Sequence, residues 1–435
     1  MIQETLVVKK RWMENPSDSF TIERAVETGA YEGLRKALKD HAPADLVELV
    51  KTSGLRGRGG AGFPTGDKWS RMAPAKPRYV VANDDEGEPC TFKDRELTER
   101  DPHSIIEGAL IAAYAVEAEA VYIYVRGEFS LGLSRLEQAI TEARERGLIG
   151  SNILDSGFSC EVFTHRGAGA YICGEETALL ESLEGFRGQP RLKPPFFPAV
   201  KGLFHMPTAL NNVETLATVP HIVLNGTEWF RSMGTEESPG TRIFSISGNV
   251  ERPGNYEVAL GVTFDELIEL AGGITGGNGL KAYVLGASAP WVTDRKMPLS
   301  YEALYAAGSM LGSGSVIVMD ETACMVEMAL NSTRFFNHES CGKCTPCREG
   351  TWWAVKVLER IEKGEGRLQD AELLINVCDN ISAPGEFYVP KGQCFCPLGD
   401  GAAWSLRSAI QLFPDEFKAH AELGACPLKA KAVAV

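Results

Sequence analysis

A chain of 435 residues, 44% of them hydrophobic, is longer than one core usually supports, so two to four domains are expected. A formal net charge of -14 repels phosphate backbones and argues against nucleic-acid binding. The best apolar stretch, 105–125, is interrupted by Glu107, Glu117 and Glu119, so no membrane span is expected. Eleven cysteines with no secretory signal indicate a reducing compartment, where thiols stay free for metal.

Residues 1–50 read as a mobile start followed by short helices. The clearest is Ala44 to Lys51, with Pro43 at its head and Gly54 beyond its end. Gly57-Arg-Gly-Gly-Ala-Gly62 then matches GxGxxG but follows a helix instead of a strand, so the Rossmann fingerprint fails its context test. Charge strengthens a phosphate-binding reading. Between Lys51 and Arg78 stand seven basic residues (Lys51, Arg56, Arg58, Lys68, Arg71, Lys76, Arg78) and one acidic residue, Asp67. Glycine lets backbone N–H groups approach an anion closely, with Lys68 as a further donor. The bland alternative is a flexible linker, against which Phe63 and Trp69 speak as aromatic anchors.

From about residue 76 the pattern alternates: strand 78–82, helix 105–116, strand 121–125, helix 131–146, strand 161–164, helix 175–184. This predicts a parallel sheet covered on both faces. Asn83-Asp-Asp-Glu-Gly-Glu-Pro89 sets four carboxylates after the first strand, at the edge where open α/β sheets bind ligands. Such crowding raises carboxyl pKa values unless donors compensate, and ribityl or ribose hydroxyls are suitable donors. A solvated acidic turn is the simpler reading of that stretch alone. Gly167 to Thr177 again runs through glycines into a helix, with Tyr171 as an aromatic edge and Glu175 and Glu176 near the helix start, where simple capping is the alternative. His165 and His205 receive no role. A linker with four prolines, Gln189 to Pro198, is expected to run extended across the surface toward Asn211-Asn212.

From Thr241 a strand, a turn at Arg252-Pro-Gly254, a strand, a helix over 263–271 and a strand at 315–319 suggest a small β-grasp domain. After Asn331 the chain reads helical, notably over 350–363, 370–381 and 402–412. Loops of this bundle are expected to carry Cys341, Cys344 and Cys347, spaced by two residues, and a distant Cys396. Three thiolates in series plus one remote partner is iron-sulfur spacing, whereas a zinc ribbon pairs two Cys-x2-Cys motifs. Cys394 competes with Cys396 by spacing, and Pro397 and Gly399 favour Cys396. Cys90, Cys160, Cys173, Cys324, Cys378 and Cys426 are expected to be small buried hydrophobes.

These motifs, with Thr91-Phe-Lys-Asp-Arg95 and Asn211-Asn-Val-Glu-Thr215, together resemble the NADH-binding flavoprotein subunits of bacterial respiratory complex I over nearly the whole chain. The resemblance implies an α/β fold: a Rossmann-like parallel-sheet FMN domain, a β-grasp (ubiquitin-like) domain, then a helical bundle carrying a 4Fe-4S cluster. The expected divisions are 1–75 for the N-terminal helices and glycine loop, 76–240 for the FMN/NADH domain, 241–330 for the β-grasp domain and 331–435 for the cluster domain. It implies FMN contacts from Gly57, Gly59, Lys68, Asn83, Asp85, Gly174, Glu175, Asn211 and Asn212. NADH contacts are implied for Phe63, Glu86, Glu88, Glu176, Lys193 and Phe196, with Tyr171 against flavin or dinucleotide. Glu86 and Glu88 surround the reacting rings, and Cys341, Cys344, Cys347 and Cys396 hold the cluster. Asp84, Cys90, Arg71 and Phe197 depart from the usual pattern, Cys90 where Gly is usual.

The implied activity is NADH oxidation by hydride transfer to FMN, with electrons leaving singly through the cluster, because a cofactor able to hold one or two electrons must lie between a hydride donor and a one-electron cluster, and FMN does this. No side-chain nucleophile is required. The implied partners are a thioredoxin-like 2Fe-2S subunit and a large iron-sulfur subunit, with the chain peripheral on the cytoplasmic side of the inner membrane. Alternatives are the equivalent subunit of a soluble NAD-linked hydrogenase or formate dehydrogenase, and a non-catalytic metal-stabilised scaffold.

Overall fold

The computed structural model describes residues 3–383 and 393–428. Helix α1 (Pro43–Ser53) has proline in its first turn and ends at Gly54 in the left-handed conformation, which glycine adopts without strain. The glycine loop follows. Helix α2 (Thr65–Ser70) then returns against α1 so closely that a Cβ on Gly66 would lie 2.3 Å from the Lys51 Cα.

The first sheet is built from β1 (Tyr79–Asp84), helices α3 (Lys93–Arg100) and α4 (Pro102–Ala115), β2 (Ala120–Val125), α5 (Ser130–Glu145), β3 (Glu161–Arg166), α6 (Glu176–Leu183), β4 (Thr208–Asn212) and α7 (Val213–Asn225). All its strand pairs are parallel and the order is β3-β2-β1-β4. The chain steps outward from β1 to β3 and then returns to the opposite side of β1, so the direction of winding reverses between β1 and β4. That reversal opens a crevice at the C-terminal ends of these two strands. The expected strands and helices are present, and β4, α3 and α7 are additions. β4 escaped notice because it is short and ends in two asparagines.

Alternation along the strands divides the burial. Val80, Ala82, Val121, Ile123, Val125, Val162 and Ala209 join one core with residues of α1, α4, α5 and α7. Val81, Tyr124 and Leu210 face the other way and pack with Ile172, Leu179 and Leu180, and with Phe336, Leu398 and Ala402 from the C-terminal region. Both faces are covered, as a parallel sheet requires. The second face is covered partly by the segment that bears the cluster cysteines.

Strands β5 (Thr241–Gly248), β6 (Gly254–Ala259), β7 (Leu280–Val284) and β8 (Ser315–Asp320) form a mixed sheet in the order β6-β5-β8-β7. Helix α8 (Phe264–Leu270), opened by a Thr263–Glu266 capping box, lays Phe264, Leu267 and Ile268 on Phe244, Ile246, Val258 and Val318. This is the β-grasp arrangement, with β7 as a strand beyond those expected. The start of the chain is fastened to it: the Glu257 carboxylate accepts from the backbone N–H groups of Val7, Val8 and Lys9 at 3.0, 3.0 and 2.9 Å.

Helices α9 (Met325–Glu339), α10 (Thr345–Glu362), α11 (Asp370–Ile381) and α12 (Pro397–Leu412) pack around Val326, Leu330, Val355, Leu358, Leu374 and Leu406, with α13 (Pro414–Leu423) across one end. Among the described residues no helix is long and apolar enough to cross a membrane. Helix α10 begins at Thr345, five residues before the expected Gly350, so Cys347 lies in its first turn and not in a loop.

The tightest contact in the first core is between α4 and α7, where a Cβ on Gly108 would sit 1.9 Å from the Leu216 carbonyl oxygen. Backbone cannot yield as a flexible side chain can. Gly108→Ala is therefore expected to cost roughly 1–3 kcal/mol, read as a lowered urea midpoint. An unchanged midpoint would show that the two helices are not so close.

Candidate active site

Three loops meet at the ends of β1 and β4. The glycine loop lies over β4: a Cβ on Gly59 would be 3.0 Å from the Asn212 Cβ, and Lys68 Nζ donates to the Leu210 carbonyl at 2.9 Å. Trp69, buried below, donates Nε1–H to Asn211 Oδ1 at 2.9 Å. Asn212 Oδ1 accepts from the Glu214 N–H at the start of α7, while its Nδ2 donates to Asp94 at 2.7 Å. On the other side Asn83 Nδ2 donates to the Gly174 carbonyl at 2.9 Å, and a Cβ on Gly174 would be 3.2 Å from the Asp85 carbonyl. Gly59, Lys68, Asn83, Asp85, Gly174, Asn211 and Asn212 are thus brought to one crevice, and Gly57, in the same glycine loop, accepts from the Tyr301 hydroxyl at 2.9 Å through its carbonyl.

The four carboxylates after β1 separate by partner. Asp84 is fully buried and accepts from Thr98 Oγ1 at 2.8 Å; burial pushes its carboxyl well above the usual range. Its side chain is bonded to α3 in the interior and does not point into the crevice as an exposed acidic group. Glu86 accepts from the N–H groups of Asp94 and Arg95 at the start of α3, at 2.9 and 3.0 Å. Glu88 turns to the β-grasp domain and accepts from Ser288 Oγ at 2.7 Å. Asp85 is the exception, since both its carboxylate oxygens are buried with no donor among the described residues. Burial raises it to about 7, against the pull of Arg126. An orphaned carboxylate costs free energy until a donor arrives, so ribityl hydroxyls of FMN fit this position, with glycine amides and Lys68 available for its phosphate.

The basic run between Lys51 and Arg78 does not form a patch. Arg58 is buried and donates to the carbonyls of Arg56 and Pro239, Lys76 and Arg78 pair with Glu117, and Lys51 pairs with Asp67. Arg56 lies over the Tyr301 ring at 4.3 Å. Spacing in sequence concealed these inward turns.

Glu175 caps α6, accepting from the N–H groups of Thr177 and Ala178, both at 2.9 Å. Lys193 Nζ lies 2.9 Å from Glu175 and 3.0 Å from Glu176, and Lys68 is 3.7 Å from Glu176. Burial opposes ionisation of Glu176, but the two lysines override it and hold the carboxyl below its usual value. Phe63 and Phe196 stand apart from this hydrogen-bonded set: Phe63 is exposed under Arg71, and Phe196 lies against His205. Cys90 is exposed and not a buried hydrophobe, and its φ of 63° is the left-handed region that glycine favours. Sequence reasoning also missed a buried charge group under the crevice. Lys93 Nζ sits 2.7 Å from Asp94 and 2.8 Å from Glu214, and the only hint was the motif 91–95.

The cysteines gather behind Ile172. Cys341, Cys344, Cys347, Cys394 and Cys396 line one enclosed pocket with Ile172, Ser340 and Leu398. Cys344 is the N-cap of α10 and Cys396 the N-cap of α12, so two helix N-termini favour negative sulfur there. Cys394 Sγ lies 3.7 Å from the Ile381 carbonyl oxygen; its hydrogen bonding with Cys347 holds that thiol down to about 7, while burial pushes the Cys344 and Cys396 thiols up. Converging thiols in an apolar pocket fit a 4Fe-4S cluster. The pocket is tied to the flavin side. Tyr171 N–H donates to Glu339 at 3.0 Å, and Gln189 Nε2 donates to the Cys341 carbonyl at 3.0 Å.

Comparison with known proteins agrees with this geometry. Family models described as "Nuo51 FMN-binding domain", "SLBB domain" and "NADH-ubiquinone oxidoreductase-F iron-sulfur binding region" match residues 50–221, 243–290 and 327–420. An NADH-quinone oxidoreductase F subunit of Rhizobium meliloti is 55% identical over 92% of this chain and 94% of its own length. The NADH-quinone oxidoreductase F subunit of Mycobacterium bovis is 51% identical over 97% and 95%. Among solved structures, a chain of an NAD+-reducing [NiFe]-hydrogenase in the air-oxidized state aligns with a TM-score of 0.80 and 34% identity, covering 97% of this chain and 68% of that one. The chain belongs to the family of NADH-quinone oxidoreductase F subunits.

Proposed function

We propose that this chain is the electron-entry subunit of a bacterial NADH:quinone oxidoreductase, an NADH dehydrogenase. It holds FMN in the β1/β4 crevice, takes NADH beside it, and carries one 4Fe-4S cluster on Cys341, Cys344, Cys347 and Cys396. The observation that carries this reading is the segment 171–174, which is bonded to Asn83 at the crevice through Gly174 and walls the cysteine pocket through Ile172. FMN supplies the chemistry that accepts a hydride and releases electrons singly to an iron-sulfur centre. The chain's own work is placement. Asp85 accepts ribityl hydroxyls, glycine amides and Lys68 receive the phosphate, and Glu86, Glu88, Glu176, Lys193, Tyr171, Phe63 and Phe196 bound the dinucleotide. Cys396 is assigned as fourth ligand because it is the N-cap of α12, where the helix N-terminus favours negative sulfur, with Cys394 two residues before it in the same pocket.

The domain divisions at 75/76, 240/241 and 330/331 are part of this reading. So is peripheral attachment on the cytoplasmic face of the membrane, through the other subunits of the complex, among them a thioredoxin-like 2Fe-2S subunit and a large iron-sulfur subunit. Relatives named as quinone oxidoreductase subunits match nearly end to end, whereas the hydrogenase chain extends well past the alignment. The hydrogenase reading is accordingly second.

Anaerobically purified chain is expected to show flavin bands that bleach on NADH and a broad iron-sulfur shoulder. Cys344→Ala and Cys396→Ser lose the shoulder, and Cys394→Ser keeps it. A featureless spectrum after reconstitution with FMN, iron and sulfide rejects the reading, and loss in Cys394→Ser with retention in Cys396→Ser reverses the ligand assignment.

The folded pKa of Asp85, about 7, lies above its unfolded value of 3.8. In the flavin-free chain its stabilising contribution is therefore complete below about pH 4 and lost as pH rises through about 7. Donation from ribityl hydroxyls reverses the preference, because they favour the ionised carboxylate. FMN affinity is expected to fall as pH drops below about 7, and Asp85→Asn to flatten that limb. Titration calorimetry between about pH 5.5 and 8.5, with riboflavin as a control lacking the titrating phosphate, measures this. A pH-independent riboflavin affinity in the native chain removes Asp85 from the flavin site.

A further inference from the structure

At the end of the helical bundle remote from the cluster pocket, two cysteines and a histidine meet in the interior. Cys324 Sγ, a nitrogen of His420 and Cys426 Sγ lie within 4.8 Å of one another. All three residues are buried, at 7%, 0% and 3% exposure. Each comes from a different part of the chain: Cys324 is the N-cap of α9, His420 is on α13, and Cys426 follows that helix. We infer that Cys324, His420 and Cys426 form a structural zinc site, with Glu362, now beside the ring, drawn in as fourth ligand.

The hydrogen bonds orient the ring as a metal ligand requires. His420 Nδ1 is 2.7 Å from the Glu416 carbonyl oxygen, which can only accept, so Nδ1 carries the proton and Nε2 of the neutral ring presents a lone pair. That lone pair faces Cys324 Sγ at 3.4 Å and Glu362 Oε2 at 3.6 Å. In the metal-free chain the Cys324 S–H can donate to that lone pair. A divalent metal would take the place of the thiol proton and bind sulfur and nitrogen together, with the Glu362 carboxylate beside them. Tetrahedral zinc with Zn–S near 2.3 Å and Zn–N near 2.0 Å places ligand atoms roughly 3.3–3.8 Å apart. The two separations from the ring nitrogen fall in that range, the two thiols and the imidazole lie within 4.8 Å of one another, and Glu362 has to move toward the thiols to close the shell. The outer contacts match as well. The ring proton on a backbone carbonyl is the usual orienting bond of a metal-bound histidine, and the Glu327 N–H donates to Cys324 Sγ at 3.5 Å from the first turn of α9.

Two thiolates, an imidazole and a carboxylate suit zinc among abundant divalent ions. Binding releases the two thiol protons to solvent and leaves the site with one net negative charge. Glu362 ends α10, whose first turn carries Cys347, and Cys324 begins α9, which leads directly to Cys341. With helices of 15 and 18 residues, the site lies on the order of 20 Å from the cluster pocket. The ion would pin the far ends of the two helices that present the cluster and fasten the segment after α13, with no part in electron transfer.

The test is metal analysis of the iron-replete, purified full chain, as isolated and after incubation with Zn(II) and desalting. The expected result is about one zinc beside about four irons. Zinc K-edge absorption should show two sulfur neighbours near 2.3 Å and two nitrogen or oxygen neighbours near 2.0 Å. The double variant C324S/C426S should lose at least nine-tenths of the zinc and keep the cluster absorption, and a zinc chelator should lower the melting temperature of the native chain alone. If that variant fails to fold, the stoichiometry and ligand set in the native chain decide. Zinc below about a tenth of an equivalent in both preparations, a four-sulfur zinc shell, zinc unchanged in the variant, or a Cys324–Cys426 disulfide as the resting form would each overturn the assignment.

Discussion

The hydrogen bond from Asn83 Nδ2 to the Gly174 carbonyl is small in energy, on the order of 1 kcal/mol, yet the arrangement of both redox centres depends on what it joins. Asn83 belongs to the strand at which the winding of the sheet reverses, so its side chain stands at the mouth of the crevice. Gly174 closes a tight turn whose preceding residues, Tyr171 and Ile172, reach the cysteine loop. Moving that turn would displace the floor of one site and the wall of the other together. A shared wall is a direct way to keep two centres close without a covalent link, and the buried face formed by Val81, Tyr124, Ile172, Phe336 and Leu398 gives it rigidity.

Charge in the crevice is distributed in a way that net counts conceal. Of the acidic residues at the end of β1, Asp84, Glu86 and Glu88 each have a donor within the protein: the Thr98 hydroxyl, the first N–H groups of α3 and the Ser288 hydroxyl. Asp85 alone of the four has both oxygens buried without a donor among the described residues. The flavin-free chain therefore bears a desolvation penalty at one atom pair, and a hydroxyl-rich ligand relieves it. The basic residues show the converse. Lys68 and Lys193 converge on Glu176, while Arg58 spends its guanidinium on backbone carbonyls deep in the fold.

The cluster end of the bundle follows the same logic of dipoles. Helices α10 and α12 begin at Cys344 and Cys396, so unsatisfied N–H groups point to where a negatively charged cluster would sit. At the opposite end of α9 and α10, Cys324 and Glu362 stand with His420 and Cys426. The two helices that position the cluster are thus held at both ends by side chains rich in metal-binding donors.

Much was legible without coordinates. Alternating strands and helices, the cysteine spacing and the two glycine turns determined the fold class, the division into sheet, β-grasp and bundle regions, and the presence of a cluster, because each rests on local periodicity or on ligand spacing along the chain. The residues gathered at the crevice were also legible, through the motifs that carry the family resemblance. What the tertiary structure decided was which side chains remain available. Asp84 and Asp85 are adjacent and chemically identical, yet one accepts from Thr98 in the interior and the other has no donor among the described residues. Arg58 and Lys68 sit in the same basic run, and one turns inward while the other reaches β4. Cys324 and Cys426, expected as inert core, meet His420 across 96 and 6 residues of chain. Burial and hydrogen-bond partnership come from elements distant in sequence, so no local pattern encodes them, and they decide whether a charged or nucleophilic group serves the fold or the site.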